Sequence, residues 1–205
     1  MNRTPRQDDR RDRLIEAAAR LFRKQGYERT SVRQLAEAVG ILSGSVFHHF
    51  DSKEDILLAV MSTTITTMIE RLSQAANSTS STRQRLLALI RTELDLLHGN
   101  TRDGVSIIFF QWNSLSTENQ KKLLSMREEY ERMWLDALQS ARDEGYLVAD
   151  PFIARRLLTG ANGWTIYWYH RDGALSLDEL AGTILGMLTG SVSRVQGEVI
   201  RGPEV

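Results

Sequence analysis

Cysteine is absent from the 205 residues, which excludes disulfides and thiolate metal sites. Proline is nearly absent too. Only Pro5, Pro151 and Pro203 occur, two of them near the ends, so long stretches run without a residue that would break a helix. No run of 18 apolar residues exists, so no segment is expected to span a membrane. The N-terminus mixes acids and bases and lacks the apolar core of a signal peptide, so the expected compartment is the cytoplasm. The length allows one domain or two small ones, each with its own core.

Net charge is also lacking, at +0 overall, but the balance is uneven. Residues 1–50 carry ten Lys/Arg against six Asp/Glu, a local +4, which leaves −4 for the remainder. A basic unit on a mildly acidic body suits contact with a polyanion at one end only. An architectural protein that coats DNA without sequence preference would be basic throughout, and this chain is not.

What the chain does have is helical periodicity nearly everywhere. Leu14, Ile15, Ala18, Leu21 and Phe22 share one face of a helix over about 8–25, and Gly26 ends it. Ser31 with Gln34 forms a capping box for a short second helix, striped by Val32, Leu35, Ala36 and Val39. Ser43 is positioned to cap a third helix, and Ser52 a fourth that runs to about 76. A fifth carries Leu86, Leu87, Ile90, Leu94 and Leu97, and the apolar segment 105–112 reads as a short sixth. Thr117 with Gln120 opens a long helix to about 142. Asp150-Pro151 supplies a cap followed by proline at the first helical position, starting a helix with Ala154, Leu157, Leu158, Ala161, Trp164, Thr165 and Trp168. Ser176 with Glu179 caps the last helix, to roughly 197. No run alternates like a strand. The fold class is all-α, about nine helices, divided as 1–52 and 53–205.

Residues 31–53 read SVRQLAEAVGILSGSVFHHFDSK. A capped helix of about eight residues, a glycine turn and a second helix of about seven make a helix-turn-helix. Gly40 supplies the positive φ that the turn needs, and Ala36 is small where the second helix approaches. Val46, Phe47 and Phe50 supply the apolar seat. Ser43, Gly44, Ser45 and His48 then face outward at the N-terminal end, the part that reaches base edges in the major groove.

The run from Gly26 to Lys53 resembles the DNA-binding domain of the TetR family. That domain shows a glycine, Thr/Ser before helix two, "LA…AG" within it, "S-x-G-x-x-Y-x-H/Y-F" and a "K-E/D" pair. The resemblance implies that Arg33, Ser43, Gly44, Ser45, Phe47 and His48 lie against DNA and that Lys53 binds phosphate. Phe47 departs from the family's tyrosine and so lacks a phenolic hydroxyl for phosphate, which leaves it a packing role. An ammonium beside a helix N-terminus also makes a phosphate seat on physical grounds.

In the last helix Gly182, Gly186 and Gly190 recur every four residues. Glycine within a helix costs about 1 kcal/mol relative to alanine, so a stripe of three points to a close-approaching backbone. This is similar to the family's dimer interface, a bundle of the last two helices from each subunit, and a homodimer is expected. Aromatic residues cluster as Phe109, Phe110 and Trp112, then Tyr130 and Trp134, then Trp164 to Tyr169. Ligand sites between helices are mostly apolar and aromatic, so Phe109, Phe110, Trp112, Trp134, Trp164 and Trp168 are the candidate effector contacts. Gln111, Asn113 and Asn162 are candidate polar orienters.

SGSVFHHFDSKEDIL and NGWTIYWYHRDGALSLDELAG are similar to TetR-type regulators that respond to acyl-CoA thioesters. Arg102, Lys121, Lys122 and Arg127 would then meet the CoA phosphates; the alternative places these cations in solvent and a neutral hydrophobic drug in the pocket. No HExxH, nucleophile elbow, P-loop or dinucleotide fingerprint occurs, and the adjacent His48 and His49 make a poor metal pair. No catalytic site, metal or cofactor is expected. The function expected is a repressor that a small hydrophobic ligand releases from a palindromic double-stranded operator. A drug-sensing repressor of an efflux system, and a helical enzyme with an appended helix-turn-helix, are the alternatives.

Overall fold

The computed structural model describes residues 5–190, which form nine α-helices and one 3-10 turn with no strand among them. They are α1 (Pro5–Gln25), α2 (Val32–Val39), α3 (Ser43–Val46), α4 (Lys53–Asn77), α5 (Thr82–His98), α6 (Arg102–Phe110), α7 (Thr117–Asp143), α8 (Pro151–Trp168) and α9 (Leu177–Thr189), with the 3-10 turn Trp112–Ser114 between α6 and α7. The chain divides into two compact units, residues 1–67 with 100–128 and residues 68–99 with 129–205.

In the first unit α1 packs on α2 and α6. Its buried stripe is Leu14, Ile15, Ala17, Ala18 and Phe22, the period expected of an amphipathic helix. Gly26 ends α1 with φ of 86°. The α4–α6 crossing depends on Gly104, since a Cβ there would collide with the Thr64 side chain. Glu54 in the first turn of α4 accepts bonds from the Ser116 N–H (2.8 Å) and Asn119 Nδ2 (2.7 Å), tying α4 to the start of α7. These bonds hold the Glu54 carboxyl below its ordinary range.

In the second unit α5 packs on α8 and α9. Asp150 caps α8 by accepting from the Phe152 and Ile153 N–H groups, and the Ser176–Glu179 box caps α9.

Four expectations need correction. Ser43 does not cap α3. It is the first helical residue, and the capping position falls to Leu42, whose side chain can accept nothing. The third helix is also shorter than seven residues, because the chain passes into turns after Val46. Thr117 is the first residue of α7, but it and Gln120 do not pair to open the helix. Ser116 Oγ accepts from the Asn119 N–H (3.4 Å), and the Gln120 side chain instead donates to the carbonyls of Trp112 and Leu115. Gly190 is not inside α9. It ends the helix in the left-handed conformation with φ of 69°, so conformation rather than close packing explains it; the expected continuation to 197 lies outside the described residues. Of the other two glycines, Gly182 faces open space while Gly186 is buried.

Candidate nucleic-acid interface

The helix-turn-helix is held from below and bare above. Ser31 caps α2 through a full capping box with Gln34, and Gly40 closes it at φ 74°, its N–H directed at the carbonyls of Ala36 and Glu37. The Ile41 N–H then bonds the Ala36 carbonyl at 3.0 Å, fixing the turn. Val46 and Phe50 lie four apart on one face and are buried, with the Arg11 guanidinium 5.0 Å from the Phe50 ring centre. Phe47 is rotated off that face and is 54% exposed. The packing role expected of it is therefore wrong, and its ring belongs to the outer surface.

The remaining sequence-predicted contacts gather on that surface. Gly44 and His48 are exposed, and Ser43 and Ser45 are half-buried beside them. Beyond its chain neighbours and its own helix backbone, no heavy atom lies within 4 Å of where a Gly44 Cβ would sit. Arg33 on α2 is exposed and pairs with Glu37 at 2.8 Å, an exposed i,i+4 pair of the kind that contributes little and rearranges readily. Lys53 is placed differently. Its Nζ donates to the Tyr27 carbonyl at 3.0 Å and sits 4.1 Å over the Tyr27 ring centre, bracing the start of α4 against the α1–α2 connection. Burial, then the nearby carboxylates of Glu28, Glu54 and Asp55, push the Tyr27 phenol up to about 12.

Sequence reasoning missed two features here. Leu42 projects into solvent at 80% exposure, and Arg10 and Arg13 of α1 line a shallow cavity of about 130 Å³ with Val39, Gly40 and Ile41. An apolar residue in a turn where a capping serine is favoured was the available signal for the first.

The aromatic candidates part company. Phe109, Phe110 and Trp112 lie in the first unit, with Phe109 and Phe110 exposed and Trp112 half-buried. In the second unit Trp134 is fully buried, while Trp164 and Trp168 stand on the exposed face of α8, so these three do not share a surface. Of the polar candidates, Gln111 is half-buried and Asn113 exposed, while Asn162 is buried and donates to Glu93 at 2.7 Å. Lys122 is engaged by Glu118 and Asn119, each at 3.0 Å.

Around Asn162 lies an ion network that sequence reading did not anticipate. Arg155 donates to both Glu93 oxygens (3.3 and 3.2 Å) and to the Tyr130 hydroxyl (2.8 Å), and its guanidinium stacks 4.5 Å from the Trp134 ring centre. Burial opposes the charge on Arg155, but the Glu93 carboxylate outweighs it and keeps the guanidinium protonated. Trp134 Nε1 and Asn162 Oδ1 have no hydrogen-bond partner among the described residues.

An all-helical chain with a braced helix-turn-helix, an exposed recognition edge, and a second helical unit is built as a DNA-binding regulator. Family comparison agrees. The profile "Bacterial regulatory proteins, tetR family" matches residues 14–60, and "Tetracyclin repressor-like, C-terminal domain" matches 79–192. The chain belongs to the TetR family of transcriptional regulators.

Among relatives, it is 29% identical over 199 residues to the transcriptional repressor KstR2 of Mycolicibacterium smegmatis, covering 95% of this chain and 97% of that one. Among solved structures, it is similar to AibR in complex with isovaleryl coenzyme A and operator DNA, with 26% identity, TM-score 0.80, and coverage of 88% and 98%. It also resembles the superantigen PfiT, with 46% identity, TM-score 0.79, and coverage of 89% and 97%.

Proposed function

We propose that this protein is a cytoplasmic, non-enzymatic repressor. As a homodimer it binds an inverted-repeat operator through residues 1–52, and an effector taken up by residues 53–205 releases it. One observation carries the DNA reading: Val46 and Phe50 are buried beneath the recognition helix while Leu42, Gly44, Phe47 and His48 stand outside. Ser43, Gly44, Ser45, Phe47 and His48 are assigned to the major groove, Arg33 to DNA beside it, and Lys53 to phosphate. Two-fold protein symmetry would be mirrored in the operator.

For the dimer, the support is the outward face of α8 and α9. Leu157, Trp164 and Trp168 are exposed on one face of α8, and Phe152, Tyr167 and Met187 are exposed besides; exposed apolar surface of this extent marks an interface. Trp164→Glu is expected to yield monomers in sedimentation and to abolish operator binding.

For the effector, the likeness to AibR supports an acyl-CoA thioester. Phe109, Phe110, Trp112 and Trp134 remain the proposed aromatic contacts, and Arg102, Lys121, Lys122 and Arg127 the proposed phosphate contacts. Trp164 and Trp168, being exposed beside the dimer face, are the weaker effector candidates. Because equal affinity for both states shifts nothing, the effector must bind the DNA-free form more tightly. The test is operator binding by the purified protein with a panel of acyl-CoAs beside their free acids and unrelated hydrophobic drugs. Release by thioesters alone supports the reading. Release by drugs alone would make the chain a drug-sensing repressor, and equal potency of free acids would remove the role of CoA. Emission from single-tryptophan variants that keep Trp112 or Trp134 reports which of the two the effector touches.

The 46% identity to PfiT favours a second reading, superantigen activity. T-cell proliferation with endotoxin-free protein tests it, and no response would dismiss it.

A further inference from the structure

Leu42 is at odds with every local demand on it. It occupies the N-cap of α3, where serine, threonine, aspartate or asparagine would accept a bond from the first turn. Leucine offers none, and at 80% exposure it gains nothing from the protein core. Its backbone is ordinary, at φ −73° and ψ 145°, and its carbonyl already accepts from the Ser45 N–H at 2.9 Å. The side chain neither caps the helix nor is buried.

Its surroundings say what kind of surface would cover it. On the chain just before it, Val39, Gly40 and Ile41 border a cavity shared with Arg10 and Arg13, and Arg13 reaches the Val39 carbonyl at 3.5 Å. On the chain just after it come Ser43, the bare Gly44 backbone and Ser45. An aliphatic group that follows a cavity lined by two arginines and precedes two serines along the chain, with only the Phe47 ring as another large exposed apolar side chain on this edge, is too small an apolar patch for a protein partner. It matches a duplex groove, which presents anionic phosphates at its rim and hydrogen-bonding base edges on its floor. The apolar feature on that floor is the 5-methyl group of thymine.

We propose that Leu42 is a specificity residue that reads a thymine methyl group in each half of the operator. The proposal rests on the DNA-binding reading above and adds a base to it. In the complex the isobutyl group would bury against the methyl, recovering the burial it lacks in the free protein. The absence of a capping side chain would be the concession made for that contact.

The experiment begins by selecting duplexes from a random pool with the full-length protein. Each thymine of the selected operator is then replaced singly by deoxyuridine, which removes only the methyl. The expected result is one position per half-site where the replacement weakens binding about four-fold, the worth of one buried methyl group. With Leu42→Ala the difference between thymine and deoxyuridine at that position should vanish. Leu42→Ser should also erase it while raising the melting temperature, because it restores a cap; the loss then cannot be ascribed to unfolding. An operator insensitive to every replacement, or a penalty that persists in both variants, overturns the inference and leaves DNA binding intact. Failure to select any duplex overturns the DNA-binding reading itself, and the inference falls with it.

Discussion

Gly44→Ala separates what the fold requires from what DNA requires. Gly44 lies in the first turn of α3. It is not among the positive-φ glycines Gly26, Gly40, Gly145 and Gly190, and an added Cβ meets no heavy atom within 4 Å beyond its chain neighbours and its own helix backbone. The free protein therefore has no use for glycine there. Alanine in its place should stabilise the fold by about 0.5–1 kcal/mol, chiefly by restricting the unfolded chain. For a chain of this size that corresponds to a melting temperature higher by about 1–4 °C. In the proposed complex the same methyl group would stand between the helix backbone and the base edges. Pushing the recognition helix outward would forfeit contacts of about 1–3 kcal/mol, a loss of roughly ten- to a hundred-fold in operator affinity. Thermal unfolding by circular dichroism and anisotropy titration against the selected operator measure the two effects on one sample. A raised melting temperature with unchanged affinity would refute the close approach at Gly44, and a lowered one would refute the claim that the fold leaves room for a side chain.

Lys53→Ala should lower thermal stability, because Nζ braces the Tyr27 carbonyl and ring, and should reduce the salt slope of DNA binding by about one. A lowered melting temperature with an unaltered slope would make Lys53 a strut only. Arg155→Met leaves Glu93 buried without its cation and should cost about 3–5 kcal/mol in denaturant unfolding, much of it recovered in the Glu93→Leu/Arg155→Met double variant; additive single losses would contradict the pairing. Burial and the Arg171 charge lower the His98 pKa in the folded state. The unfolded chain therefore binds more protons there, and stability should fall as pH drops below about 6.5. Denaturation midpoints across that range should flatten in His98→Gln.

Punctuation made much of this architecture legible from sequence. The Ser31–Gln34 and Ser176–Glu179 boxes and the Asp150-Pro151 start are local signals, readable within four residues, and the structure forms all three as expected. What was not legible depends on long-range partners. Arg155 reads as a solvent-facing helix charge until Glu93, 62 residues away, is brought to it. Lys53 reads as a free cation until the Tyr27 carbonyl closes on it. Leu42 is illegible for a different reason: the neighbouring Ser43 meets the expectation of a cap, one residue past the true capping position.

Helix α8 shows most clearly why periodicity alone could not choose a side. The stripe expected from sequence mixes Ala154, Leu158 and Thr165, which are buried, with Leu157, Trp164 and Trp168, which are exposed, so the 3.6-residue period marks an apolar arc without saying which edge of it turns inward. The stripe that turns inward is the more polar one, with Arg155, Asn162 and Thr165 buried among Ala154 and Leu158. The stripe that turns outward carries Phe152, Ile153, Leu157, Trp164 and Trp168. A solitary soluble chain would gain by the reverse arrangement, since buried polar groups need partners and exposed aromatic rings forgo their hydrophobic gain. The inversion becomes favourable once both stripes are covered: the inner one by Glu93 and Tyr130, which satisfy Arg155, and the outer one by another apolar surface. A second copy of α8 meets that need without further invention, because a two-fold axis sets each stripe against its own equivalent.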